Sequence, residues 1–240
     1  MDGLGGGHLA HGKLFAPVAV PGGLEVSALG TTGLLLSAAG ELCLPTQQRI
    51  WALAREVATW PGIGEAVPGM NNLMLCFSRP PENGHAWQGL VVNLQQAWQD
   101  IEPLSREGRV VELDVSYGGR GGPHLADVVT HTGLAVDEVV RLHSAPLYQV
   151  YALGSHPGYC YLGGMDPRIA TPRRAAPILN LPGGAVSIGG VQTGVSASTG
   201  PSGWNTIGHT EMEFFDPCRQ PPAVLQPGDQ IRFRVREILA

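Results

Sequence analysis

The sequence predicts two unlike units in series: a small α+β layer with helices packed on an antiparallel sheet, then a closed or nearly closed β structure. Three observations point to it. Between residues 23 and 105, β-type apolar runs and helically spaced apolar runs follow the order strand, strand, helix, strand, strand, helix. A polar stretch, Pro103–Gly108, then breaks the pattern and marks a boundary. Beyond it, Gly154–Thr210 is dense in glycine and proline yet carries short apolar runs between turn signals, as short strands cut by tight turns do.

Taken in order, residues 1–22 are expected to be a disordered tail, because Gly5–Gly7 and the absence of periodicity offer nothing to pack. His8 and His11 are read as tail residues rather than metal ligands. Leu24–Leu29 and Leu34–Ser37 are expected strands around the turn Gly30-Thr31-Thr32-Gly33. Thr46–Ala58 has Ile50, Leu53, Ala54 and Val57 at helical spacing, with Pro45 just before it and Pro61-Gly62 ending it. Ile63–Val67 and Asn72–Phe77 are expected strands, and Trp87–Ile101 a helix with Leu90, Val91, Leu94 and Trp98 on one face. This layer is placed at 23–105 and the β unit at 109–240.

The second unit opens with a strand at Arg109–Val115. The loop Ser116–Pro123 follows, read as a structural turn because it lacks the spacing of a nucleotide-binding loop. Helices are expected at Leu125–Thr132 and Ala135–Ser144, and a strand at Leu147–Leu153. Leu179–Leu181 and Ala185–Ile188 are β-type, with Pro182–Gly184 and Gly200–Gly203 as turns. Glu211–Phe215 and Gln230–Val235 are expected to close the chain as strands.

Bulk chemistry narrows the function. The 240 residues carry a net charge of −5, 43% hydrophobic and 15% charged residues, which gives a real core and argues against nucleic acid as partner. Cys43, Cys76, Cys160 and Cys218 form no CxxC pair, so zinc and dithiol chemistry are not expected. No secretory leader is evident and no apolar run reaches the ~18 residues of a membrane span. The expected place is the cytoplasm, with reduced thiols.

The candidate site residues lie in Gly154–Thr210. Arg168, Arg173 and Arg174 form a basic group in which Arg173 is the best candidate to hold a carboxylate or phosphate. A solvated loop or a partner interface suits the same pattern. Gln192 and Thr193 form a polar step in which an amide can both donate and accept. Trp204 suits a pocket wall or the core. Among His124, His131, His143, His156 and His209, His156 and His209 stand out because both sit in the glycine-rich loops. Cys160, four residues from His156, could be a nucleophile, but a small buried cysteine is the expectation.

The ordered motifs resemble a known family. They are Tyr117-Gly118-Gly119, Gly122-Pro123, Gly133-Leu134 with Glu138-Val139-Val140 and His143, and Gly154 with Pro157-Gly158. They continue through Tyr161-Leu162-Gly163-Gly164, Ala170-Thr171-Pro172-Arg173, Gln192-Thr193-Gly194, Gly203-Trp204 and Ile207-Gly208. This set is similar to the family of the 5-oxoprolinase B-type subunit, KipI-type kinase inhibitors and the allophanate hydrolase subunit 1 region of urea carboxylases. It departs from the family pattern where His124 stands for Asp, Ile178 for Arg and His209 for Arg, which removes positive charge.

The resemblance implies an N-terminal α+β domain and a cyclophilin-like β-barrel. It implies ATP-dependent opening of a lactam, 5-oxoproline, with ATP bound either on this chain or on a partner, and no metal. The implied partners are a homologous second barrel protein, the C-type subunit, and an A-type subunit. His156, Arg173 and Gln192 are then the expected catalytic residues. Pro157, Gly158, Tyr161, Gly184, Thr193, Gly194, Trp204 and His209 are the expected substrate contacts, with the glycines allowing close backbone approach. The family's other activities stand as alternatives: inhibition of a sensor histidine kinase, or carboxyl transfer to an amide in a biotin-dependent carboxylase.

Overall fold

In the computed structural model, residues 18–19, 23–105 and 108–239 are described. Apart from Val18–Ala19, the expected tail lies outside them, and with it His8 and His11. The first sheet has five strands in the order β1-β2-β3-β5-β4. These are β1 (Val18–Ala19), β2 (Leu24–Leu29), β3 (Gly33–Ala38), β4 (Ile63–Pro68) and β5 (Asn72–Phe77), all antiparallel.

Two helices cover this sheet. The first, α1 (Leu44–Val57), begins two residues earlier than expected, so Pro45 falls in its first turn, where a missing N–H costs nothing. The second, α2 (Gly84–Asp100), starts ahead of Trp87 because the Asn83 side chain accepts the Ala86 N–H at 3.0 Å and caps the helix. Their apolar faces close on the sheet: Ile50, Leu53, Val57 and Leu94 are fully buried against Leu36, Leu73 and Leu75. Each such side chain contributes roughly 1.5–3 kcal/mol of transfer free energy.

The second unit is a closed barrel in the order β10-β11-β8-β7-β14-β6-β13. Its strands are β6 (Val110–Gly118), β7 (Leu147–Leu153), β8 (Cys160–Gly163), β10 (Ala185–Gly189), β11 (Gln192–Val195), β13 (Asn205–His209) and β14 (Gln230–Leu239). The last strand pairs in parallel with the first strand of this unit, Gln230 opposite Val110 through Leu239 opposite Gly118, which joins the two ends of the unit. Helices α3 (Leu125–Thr132) and α4 (Val136–Ser144) pack on it, and a short pair, β9 (Ile178–Leu181) with β12 (Gly200–Ser202), lies alongside.

Two local expectations are corrected. Gly200–Ser202, expected as a turn, is strand β12, since it finds β9 as a partner. Glu211–Phe215, expected as a strand, keeps only a single bridge, Phe215 to Ala223. A strand needs a neighbour, and β6 pairs with β13 only as far as His209.

Alternation fixes which side chains face out. Cys160 and Leu162 of β8 point into the core and Tyr161 points away; Thr193 and Val195 of β11 point in and Gln192 and Gly194 away. In the core a directed chain of hydrogen bonds crosses the barrel. The Thr193 hydroxyl donates to the Ser187 carbonyl at 3.0 Å and therefore accepts from His143 Nε2 at 2.9 Å. That leaves His143 Nδ1 to accept from the Tyr117 hydroxyl at 2.8 Å. Burial holds the His143 imidazole neutral, its pKa lowered to about 3. Among the described residues no helix is long and apolar enough to cross a membrane.

Candidate functional site

The strongest candidate is a cleft of about 170 Å³ on the outer wall of the barrel. Four residues marked in the sequence line it together: His156, Tyr161, Arg173 and Trp204. Its floor depends on glycine. A Cβ at Gly189 would overlap the Trp204 indole, and one at Gly194 would lie 2.6 Å from the Tyr159 hydroxyl. The absence of both side chains lets the indole and the tip of the phenol come close to β10 and β11.

The aromatic walls brace one another. Tyr159 meets Tyr161 edge-on, ring centroids 4.9 Å apart, and the Trp204 indole stands 6.3 and 6.5 Å from the two. Tyr159 and Tyr161 are two residues apart across the inward Cys160, so strand periodicity puts both on the cleft side. Tyr159 is not among the site residues expected from the sequence. The Tyr-Cys-Tyr alternation is the signal that would have found it. Burial raises the Tyr159 phenol well above its ordinary range. Cys160 is a core residue, fully buried inside the barrel, and that burial raises its thiol to about 12, against a role as nucleophile.

Arg173 is held from both sides. Before it, the Pro172 carbonyl accepts from the Asn205 amide at 2.8 Å; after it, the Arg174 N–H donates to the Gly203 carbonyl at 2.8 Å. One step further back, Thr171 bridges to Gly190. The guanidinium then lies over the Trp204 ring, 5.7 Å from its centroid, a cation–π placement that orients it without neutralising it. Of its two neighbours in the basic group, Arg174 pairs with Asp127 at 3.2 Å and Arg168 with Asp166 at 2.7 Å.

His156 is fixed by one bond. The Ala197 N–H donates to its Nε2 at 3.2 Å, and its ring packs 5.2 Å from Tyr159. Desolvation lowers the His156 pKa.

The other expected contacts fall elsewhere. Thr193 is corrected: its side chain is fully buried in the barrel core, bonded to His143 and Ser187, because it sits on the inward phase of β11. Gln192 is on the outward face, opposite Gly189 in the register and so beside the indole's platform, but it does not line the cleft. His209 donates from Nε2 to the Gly183 carbonyl at 2.9 Å, and Gly184 (φ +79°) packs beneath the same ring; neither lines the cleft. Gly158 (φ +80°) packs against Phe214 and Phe215, and Pro157 is exposed outside the cleft. His124 accepts the Thr206 N–H on Nδ1 at 2.9 Å, a bond a carboxylate could also make. Among the described residues no cluster of His, Cys, Asp and Glu is placed to hold a metal.

Residues 24–225 match the family model described as "Carboxyltransferase domain, subdomain C and D". The chain is 43% identical over 205 residues to the 5-oxoprolinase B-type subunit of Escherichia coli O157:H7, covering 85% of this chain and 93% of that one. It is 34% identical over 215 residues to the 5-oxoprolinase B-type subunit of Haemophilus influenzae, covering 90% and 99%. Among solved structures it is similar to TTHA0988, with a TM-score of 0.70 and 35% identity over 85% of this chain; this chain spans 40% of that longer one. The urea amidolyase of Kluyveromyces lactis shares the fold, with a TM-score of 0.74 at 17% identity over 89% of this chain and 15% of that one. The chain belongs to the carboxyltransferase domain, subdomain C and D family.

Proposed function

We propose that this family member is the B-type subunit of an ATP-dependent 5-oxoprolinase-like complex, and that its wall cleft positions the small lactam whose amide bond the complex opens. The observation that carries the reading is the convergence of Arg173, His156, Tyr161 and Trp204 on one small cleft, from segments up to 48 residues apart. The curated relatives at 34% and 43% identity, matched over nearly their full length, are named for that activity. The urea amidolyase likeness, at 17%, concerns the fold, so carboxyl transfer is the weaker reading.

In this reading Arg173 pairs with the substrate carboxylate, and the two tyrosines and Trp204 enclose its flat ring. Gln192, beside the cleft on the same face, can reach a bound amide only if the substrate or a partner extends past Trp204. The cleft lies on an open wall, which suits a site completed by a second barrel protein. ATP does not belong in this cleft: the volume is about half the ~300 Å³ at the low end for a drug-sized ligand. The cytoplasm is the proposed compartment.

The test is co-expression with a homologous C-type barrel subunit and an A-type subunit, followed by assay of ATP-dependent conversion of 5-oxoproline to glutamate. Turnover that requires this chain is expected. A folded three-component complex without turnover removes the reading.

A further inference from the structure

The cleft contains donors and no carboxylate. Of the ten residues that line it none is Asp or Glu, although the chain carries 20 acidic residues against 15 basic ones. Arg173 has no ion pair, and the Tyr159 and Tyr161 hydroxyls have no protein partner, among the described residues. His156 completes the set for a geometric reason. Its Nε2 takes the Ala197 N–H, so that nitrogen holds a lone pair and the ring's proton must be on Nδ1. A second proton on Nε2 would set N–H against N–H and break the bond. Among the described residues no protein acceptor meets Nδ1. The imidazole is therefore a fixed donor and a poor shuttle for protons.

We propose that His156, locked as a neutral ring by the Ala197 amide, is a binding residue of the cleft that offers the ligand carboxylate a second donor through Nδ1, beside the Arg173 contact of the proposed function. The inference rests on the cleft being the ligand site of the proposed function, and it goes further in assigning His156 to binding rather than to proton transfer. A ligand there must be rich in acceptors, anionic and small. A carboxylate on a compact ring satisfies all three, and two converging donors discriminate it from its uncharged amide. Burial of the imidazole acts in the same direction as the bond to Ala197. Tyr159, Tyr161 and Arg173 are the other titratable groups that line the cleft with His156.

The experiment is calorimetric titration of the chain, alone and in its complex, with 5-oxoproline, with 5-oxoprolinamide and with ATP, at pH values from 6 to 8.5. Binding of 5-oxoproline at least tenfold tighter than of the amide is expected, with affinity constant across the pH range. His156→Phe should weaken it about tenfold or more, while His156→Asn, which can accept from Ala197 and still donate, stays within about threefold. Circular dichroism checks that both variants fold. Equal binding of acid and amide, binding of ATP alone, no binding in either form of the protein, or affinity that rises severalfold as pH falls to 6 would overturn the proposal. The last outcome would mean that an imidazolium makes the contact. These readouts do not involve turnover, so the carboxylate receptor and the lactam-opening complex can fail separately.

Discussion

The Trp51 indole N–H donates to the Tyr151 carbonyl at 2.8 Å, joining the α+β layer to the barrel wall. The carbonyl is free for this because β7 is bulged there. Val150 pairs with Leu162 and Ala152 with Tyr161, which leaves Tyr151 as an extra residue without a partner in the ladder. Gln47 donates to the same oxygen at 3.3 Å, and the Tyr151 ring stands edge-on to Trp51. The residue after the bulge faces Tyr161 of the cleft, so the first unit braces the strand pair that carries the site.

Trp51→Phe keeps most of the ring and removes the donor. It should cost about 1 kcal/mol, as expected for one buried hydrogen bond. Gln47→Leu should cost more, about 2–3 kcal/mol. Gln47 also donates to the Gly69 carbonyl at 2.9 Å and accepts the Asn71 N–H at 3.0 Å, and all three groups would lose a partner. Urea unfolding measures both, and equal effects would contradict the accounting.

Thr193→Val should destabilise by about 1–3 kcal/mol, since it strands the His143 Nε2–H inside the barrel. Thr193→Ser, which keeps the hydroxyl, should recover most of the loss. A valine variant as stable as the parent would show that the chain from Tyr117 to Ser187 is not directed as described.

Stability should fall with acid through His143. Above pH 6.5 the ring is neutral in both folded and unfolded chains and contributes no slope. Between 6.5 and about 3 the unfolded chain takes up a proton that the folded ring refuses, so each unit of falling pH costs about 1.4 kcal/mol. His124 and His156, also lowered by burial, add in the same sense. His143→Gln should flatten the slope between pH 6.5 and 5, where few carboxylates titrate, as measured by unfolding at each pH.

Two glycine-to-alanine changes should have opposite signs. Gly189→Ala drives a methyl into the Trp204 indole and should cost about 1–3 kcal/mol, shift tryptophan emission and weaken ligand binding. Gly89→Ala, inside α2 with nothing within 4 Å, should stabilise by about 0.5–1 kcal/mol. The comparison separates overpacking from helix propensity.

Arg173→Lys keeps the charge but loses the planar fork over Trp204. In the reconstituted complex it should raise KM about tenfold or more with a smaller change in kcat. An unchanged KM would place the substrate carboxylate elsewhere.

Much of the fold can be read from local pattern. Strand β5 and helix α3 begin and end at the expected residues, because apolar periodicity and terminal turn residues act within a few positions. β8 and β13 carry no such local signal, since a four- or five-residue strand in a glycine-rich stretch is defined by its neighbours in the sheet. In the site, Arg173, Tyr161, Trp204 and His156 stand out in the sequence as special residue types among glycines.

The sequence by itself determined the longer helices and strands, the family pattern and the residue types available for chemistry, because these follow from composition and short-range spacing. Only the tertiary structure decided which of those residues meet. Register and barrel closure turned Thr193 inward and Gly194 outward, laid Trp204 on Gly189, and aimed the Ala197 amide at His156 from 41 residues away. A one-residue change in pairing would reverse every one of those faces, and no local signal fixes pairing between strands that distant in the chain.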